Sequence, residues 1–310
     1  MNRQIILPES KEHWLALRLK NINSSEVAAL FDMSPYMTKF ELWHRIKNAA
    51  AVDFDENVRV KWGNRLETAI AQGVAEDNSW VVQPMKNYIC VPDLRIGSSF
   101  DFEIIGGEPT ILEIKNVDAL VLRDQWDIND DAPEAPSHIE LQVQHQLLVS
   151  GYKFAYIAAL VGGNRVVLIK READDLIHNA IKDRAAEFWQ SIDKNVPPTP
   201  DFAKDSEFIA SLYRVAEPNK VLDARGDVVL ADLASKYRLA SQDANVAEAK
   251  KKAIKAQILT IAGDVEKIIG DTFSSITLNM VGPSTYTVNR DGYRMFKVNF
   301  PKVKNALPDD

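Results

Sequence analysis

One cysteine, Cys90, occurs in 310 residues, so no internal disulfide can staple the chain and a hydrophobic core must hold it. In the apolar run 88–91 that cysteine is most simply a buried small hydrophobe. No stretch of about 18 apolar residues occurs, and the N-terminal MNRQIILPESKEHW lacks the apolar core of a secretory signal. A cytoplasmic, non-membrane protein is the expectation. Positive charge is also scarce. Against 44 Asp and Glu there are 37 Lys and Arg, for a net charge of −7 and a pI near 5.4, which is not the basic coat usual in nucleic-acid binding. Any polyanionic partner must be met by local Lys and Arg clusters.

What is present is ordinary globular material, 46% hydrophobic and 26% charged. Apolar spacing predicts helices over 10–19, 26–31 (capped by Asn23 or Ser24), 39–47 and 60–77. The period then shortens. Residues 87–91, 95–105 and 110–116 read as a strand meander, followed by a helix over 135–149, strands at 154–161 and 165–170, and a helix over 173–193. Three prolines in 195–202 mark a boundary. Beyond it, the Ala- and Lys-rich 231–269 predicts long solvated helices, a hairpin or a coiled coil, and 273–300 predicts a β segment with turns at Gly282-Pro283 and Asp291-Gly292. The expectation is a mixed α/β (α+β) core with a central mixed sheet flanked by helices over 1–204, and a helical and β-hairpin extension over 205–310.

The stretch Ile-Gly-Ser-Ser-Phe-Asp101-Phe followed across Gly106-Gly107 by Ile-Leu-Glu113-Ile114-Lys115-Asn pairs two strands. Alternation along the second puts Glu113 and Lys115 on one face. If Asp101 joins them, two carboxylates and an ammonium converge. That trio suits phosphodiester hydrolysis: carboxylates and the Ile114 carbonyl can hold a hard cation, while lysine offsets charge in the transition state. Glu-x-Lys alone is an ordinary solvated strand face. Glu67 and Gln142, on helices that could aim them inward, add weight. Gln142, Gln144 and Gln146 recur every second residue, so not all can line a site, and Gln142 is preferred because Leu141, Leu148 and Val149 mark the packed side. His44, His138 and His145 read as structural hydrogen-bonders, and Trp43, Trp62, Trp126 and Trp189 as core anchors. Tyr36 and the loop 123–131, polar connections near the proposed site, are the better candidates for contact with a phosphodiester substrate.

Four motifs in order give this sequence a resemblance to the YqaJ-like phage recombinase nucleases, relatives of phage lambda exonuclease in the PD-(D/E)xK superfamily, over roughly 14–201. They are Trp14-Leu-Ala-Leu-Arg18 with Asn23-Ser-Ser25, Trp62-Gly-Asn-Arg-Leu-Glu67, Asp101 with Glu113-Ile-Lys115, and Glu140-Leu-Gln142-Val-Gln144. The proline that names the superfamily is replaced by Phe100. The resemblance implies that Arg18 and Ser25 contact the DNA phosphate, that Glu67 helps bind metal or water, and that Gln142 lines the site. It implies magnesium, or manganese in its place, held by Asp101, Glu113 and Ile114. It further implies 5′ to 3′ digestion of double-stranded DNA ends in recombination, with a single-strand annealing protein and a homo-trimer. An endonuclease on the same fold and a noncatalytic DNA-binding or assembly protein are the rivals.

Overall fold

The computed structural model describes residues 1–48, 58–128, 133–288 and 292–300, and divides into two units, Met1–Ile209 and Ala210–Asp310. The first begins with β1 (Gln4–Ile6), α1 (Lys11–Leu19), β2 (Ile22–Asn23), a 3-10 turn (Val27–Phe31), α2 (Lys39–Lys47) and α3 (Val58–Asn78). Next come β3 (Val81–Pro84), β4 (Tyr88–Val91), a second 3-10 turn (Pro92–Leu94), β5 (Ile96–Ser98), β6 (Phe102–Ile105) and β7 (Thr110–Val117). Then follow α4 (Ala119–Gln125), α5 (Ser137–Ser150), β8 (Phe154–Val161), β9 (Arg165–Glu172) and α6 (Asp175–Asp193). The mixed α/β class expected from the sequence is what the chain adopts.

Local chemistry explains most boundaries. Ser10 caps α1 by accepting from the His13 amide at 3.1 Å, an interaction worth about 1 kcal/mol. Thr38 does the same for α2 through Glu41. The segment 26–31 is a 3-10 turn and not the expected α-helix, and neither Asn23 nor Ser24 caps it. Instead the Glu26 carboxylate reaches back to the Asn23 amide and side chain, and Asp32 ends the turn with a φ of 57°.

A second correction bears on function. Residues 95–105 are not one strand of a meander. Residues Ile96–Ser98 lie in a four-stranded sheet of order β1-β4-β5-β2, whereas Phe102–Ile105 lie in a five-stranded sheet of order β3-β6-β7-β8-β9. The chain changes sheets at 99–101. The five-stranded sheet is antiparallel except for β7 and β8, which run parallel from Thr110↔Phe154 to Val117↔Val161. On one face Leu112, Ile114 and Ala158 pack against Ile70, Ala71 and Val74 of α3. The other carries Ile111, Ala155, Ile157 and Ala159 into the main core with Val143, Leu147 and Phe188 from α5 and α6. Trp43, Trp126 and Trp189 are buried as expected, but Trp62 is half exposed, because it lies on the outer side of α3 with Arg65 over its ring.

After α7 (Ser206–Leu212), the second unit has α8 (Val228–Ala262) and the short strands β10 (Lys267–Ile268) and β11 (Ile276–Thr277). The expected helical hairpin is a single 35-residue helix. Of the expected β segment 273–300, only β11 forms among the described residues, and the turn at Asp291 lies outside them. No helix of the described residues is long and apolar enough to cross a membrane.

Candidate active site

Pairing between β6 and β7 ends at Phe102↔Leu112, while β7 continues beside β8 to Val117. One edge of β7 is therefore open from Glu113 onward, and Asp101, in the sheet-changing segment, turns back to it. Its Oδ2 accepts from the Ile114 amide at 2.8 Å. Because a strand residue's carbonyl points to the same side as its N–H, the Ile114 oxygen faces this open edge too, beside Asp101.

Glu113 is buried, 2% exposed, and every donor around it is identifiable. Its Oε1 accepts from Lys115 Nζ at 2.6 Å and from Gln142 Nε2 at 2.5 Å, and its Oε2 accepts from Gln146 Nε2 at 2.7 Å. Lys115 also donates to Gln142 Oε1 at 3.1 Å. Both glutamines come from α5, one turn apart on the face that meets β7. Gln144 points elsewhere, bridging the Glu172 carbonyl and the Asp174 amide. Choosing Gln142 over Gln144 agrees with this geometry, but Gln146 was missed although its i,i+4 spacing from Gln142 was the available signal.

Charge in the site is unbalanced. Burial, then the Glu113 charge, push Asp101 well above the usual carboxylate range, with Lys115 pulling the other way and Glu67 adding to the rise. Glu67 is raised by burial and by Glu113; no ion pair ties it to Lys61 or Arg65 among the described residues. Burial works against the Lys115 ammonium, but the charges of Glu113 and Asp101 outweigh it and keep the amine protonated. Lys115 is therefore a donor and a cation here, not a base. Asp101 Oδ1 accepts no hydrogen bond among the described residues. Oxygen donors in excess of nearby positive charge suit a hard cation. No three His, Cys, Asp or Glu side chains among the described residues close into a metal-holding set by themselves. A cation at Asp101 and Glu113 would thus need a further oxygen such as the Ile114 carbonyl.

The N-terminal motif is tied to the same loop. Arg18 Nη2 donates to Ser25 Oγ at 3.1 Å and to Glu26 Oε1 at 3.2 Å, with Trp14 against the guanidinium. Strand β2 pairs with β5, Ser98 Oγ donates to Ser24 Oγ at 2.9 Å, and Trp14 Nε1 donates to Ser99 Oγ at 2.8 Å. These bonds fasten the Arg18 and Ser25 segment to the residues leading into Asp101. Gln146 Nε2 lies 3.4 Å from the Ser99 carbonyl, joining that loop to Glu113.

The histidines differ from expectation. His145 is fully buried with neither ring nitrogen in a full hydrogen bond, so it is not the structural hydrogen-bonder expected. His44 packs edge-on against Phe40 and Trp43. His138 stands edge-on to Tyr36 at 5.6 Å, and its basicity is lowered by burial and then by the Lys115 charge. Tyr36 is 80% exposed. The pair therefore flanks Lys115 on the solvent side. Residues 123–125 of the expected loop 123–131 belong to α4, and 129–131 lie outside the described residues.

One curated protein and several solved structures are similar to this chain. The protein named uncharacterized protein YqaJ of Bacillus subtilis (strain 168) is 27% identical over 261 residues, 83% of this chain and 80% of that one. Among solved structures, an alkaline exonuclease from Laribacter hongkongensis matches with a TM-score of 0.47 at 15% identity, over 65% of this chain and 100% of that one. A phage related exonuclease from Haemophilus somnus 129PT matches with a TM-score of 0.40 at 12% identity, over 57% and 95%. The resemblance read from the sequence is borne out as one to the YqaJ-like viral recombinase domain, whose sequence model matches residues 13–153.

Proposed function

We propose that this chain is a metal-dependent DNA nuclease that digests double-stranded DNA from its ends, 5′ to 3′, in recombination with a single-strand annealing protein. The observation that carries the reading is the convergence of Asp101, Glu113, Lys115 and Gln142 on the open edge of β7. The match to a viral recombinase domain supports the setting. Asp101, Glu113 and the Ile114 carbonyl would hold magnesium, or manganese in its place. Such an ion supplies polarisation of a phosphoryl oxygen and a lowered pKa for an attacking water.

The protein's own groups do the rest. Lys115, held protonated, donates to the oxygen that gains charge in the transition state. Gln142 and Gln146 fix both Glu113 oxygens so that the carboxylate cannot rotate away from the edge. Glu67 presents a second carboxylate toward Glu113, and its raised pKa suits it to assist a water. Arg18 and Ser25, already bonded to each other, form a cationic and hydroxyl pair for a phosphate.

Linear duplexes labelled at the 5′ or 3′ end, set beside a covalently closed circle with and without magnesium, test the reading. The 5′ label should be released first, only with the metal, and the circle should survive. Cutting of the circle at a comparable rate would sink the end-dependent mode. Lys115→Ala and Glu113→Ala should each abolish cleavage in a folded protein, and wild-type digestion by either would refute the site.

A further inference from the structure

Helix α3 carries a glycine, Gly63, that its own packing does not require. Glycine is among the poorest helix formers, and inside a helix it is useful where a neighbour comes too close for a side chain. Apart from the helix's own backbone, no heavy atom among the described residues lies within 4 Å of where a Cβ on Gly63 would stand. Yet Gly63 is partly buried, while every other residue of the helix from Val58 to Arg65 is exposed. The glycine clears a space beside the helix that the chain itself does not use.

Its place on the helix gives that space a direction. Residues four apart stack on one ridge, and the ridge through Gly63 runs Arg59, Gly63, Glu67, Ala71, Ala75. Ala71 and Ala75 are buried, Ala71 in the cluster with Leu112 and Ile114 of β7, and Glu67 lies within reach of the charges of Glu113 and Lys115. The ridge therefore leaves the site at Glu67, passes Gly63 and ends on Arg59, about 12 Å from Glu67 along the helix axis. Arg59 is in no ion pair among the described residues, unlike Arg18, Arg45, Arg171 and Arg184, each of which meets a carboxylate. Lys61 falls on the outer side of the helix, with Arg65 and Trp62.

We infer that this ridge is a subsite for one strand of the DNA substrate, whose sugar–phosphate backbone crosses α3 at Gly63 and gives a phosphate to Arg59. The inference rests on the proposed function in taking DNA as the substrate. A strand that crosses a helix at van der Waals distance needs a residue without a side chain at the crossing. A cation beyond the crossing offsets the repulsion that Glu67 and Glu113 exert on the phosphates, and a guanidinium suits a phosphate by its paired donors. At about 3.4 Å of rise per nucleotide, the span from Glu67 to Arg59 covers about three nucleotides. Arg59 thus holds the strand beside the bond to be cut and takes no part in the cut.

Anisotropy of a fluorescent linear duplex with a single-stranded end, titrated with the full chain in EDTA over a range of salt, reads the subsite apart from cleavage. Gly63→Ala should raise the melting temperature by about 1–4 °C, because alanine is the better helix former and meets no neighbour. It should nonetheless weaken DNA binding, and Gly63→Leu should weaken it further, about tenfold. Gly73→Ala, at the exposed glycine of the same helix and off the ridge, should raise the melting temperature alike and leave binding and cleavage unchanged. Arg59→Ala should reduce the slope of log K against log salt by about 0.7–0.9, one phosphate contact, whereas Lys61→Ala should not. Wild-type affinity in Gly63→Leu, a lowered melting temperature in Gly63→Ala, equal slopes for Arg59→Ala and Lys61→Ala, or a wild type that binds no DNA each overturn the inference. Binding that still follows Gly63 and Arg59 in a chain that cuts no DNA would uphold the subsite and sink the nuclease reading alone.

Discussion

Glu113 is the residue on which the site turns, because a carboxylate this buried is tolerable only when its oxygens are bonded. Three donors do this, and the one that resemblance did not name, Gln146, alone bonds Oε2. It acts through Glu113, as a positioning residue. Gln146→Leu should lower cleavage about 10–100-fold and raise the magnesium concentration for half-maximal rate, the usual effect of losing a partner behind a ligand. Gln144→Leu breaks the bonds to Glu172 and Asp174, so it should cost stability while leaving the metal dependence unchanged. Equal metal dependence in Gln146→Leu and wild type would remove the assigned role. Next to it in sequence, His145 sets a pH limit on the fold. Burial, then repulsion from His178, depress its pKa from 6.5 to about 3, a backbone contact at Ile22 only partly opposing them. Between those values the unfolded chain binds a proton that the folded chain refuses, so stability is intact above about pH 6.5 and falls as the pH drops toward 3. From pH 7 to 5 the loss should be about 2 kcal/mol. Urea midpoints measured at both pH values should show it, and His145→Gln should flatten the difference.

At the scale of elements, the decisive feature is the change of sheet at Ser99 to Asp101. The sequence carried α2 to its exact ends and β8 likewise, since caps and apolar period are local signals. It could not carry the split of 95–105, because alternation along a strand says which face a residue takes and nothing about which sheet the strand joins. Asp101 stands out in the sequence as a candidate site residue, yet its place in a crossing segment rather than on the strand follows only from the non-local pairs β2–β5 and β6–β7. Strand β5 also holds a glycine that a close approach requires. A Cβ at Gly97 would overlap the Tyr88 hydroxyl and ring, and that hydroxyl donates to Asn23 Oδ1 at 2.9 Å. Gly97→Ala should therefore destabilise the fold by about 1–3 kcal/mol. Because β5 leads into Asp101, it should also cut activity at temperatures where the protein is still folded. A melting temperature and rate equal to wild type would show that the Tyr88 ring moves aside freely.

For the whole molecule, the two units differ in what holds them. Every buried apolar residue among those described lies in the first unit except Ala262. The second unit offers a long helix and a two-stranded ribbon, and a two-stranded ribbon is marginal in water. All residues of the proposed site, from Arg18 to Gln146, fall in the first. Phe208, just inside the boundary, packs on Phe40 at 6.1 Å, and Asp205 is bonded by Thr38 and the Asp201 amide, so a cut must fall beyond them. A chain ending at Glu217 should keep a cooperative unfolding transition, since the core that supplies the stability is intact. It should also keep magnesium-dependent digestion of linear DNA. If the shortened chain unfolds without cooperativity, the first unit is not an independent fold. If it folds but loses magnesium-dependent digestion, residues beyond Glu217 take part in cleavage and the site is not confined to the first unit.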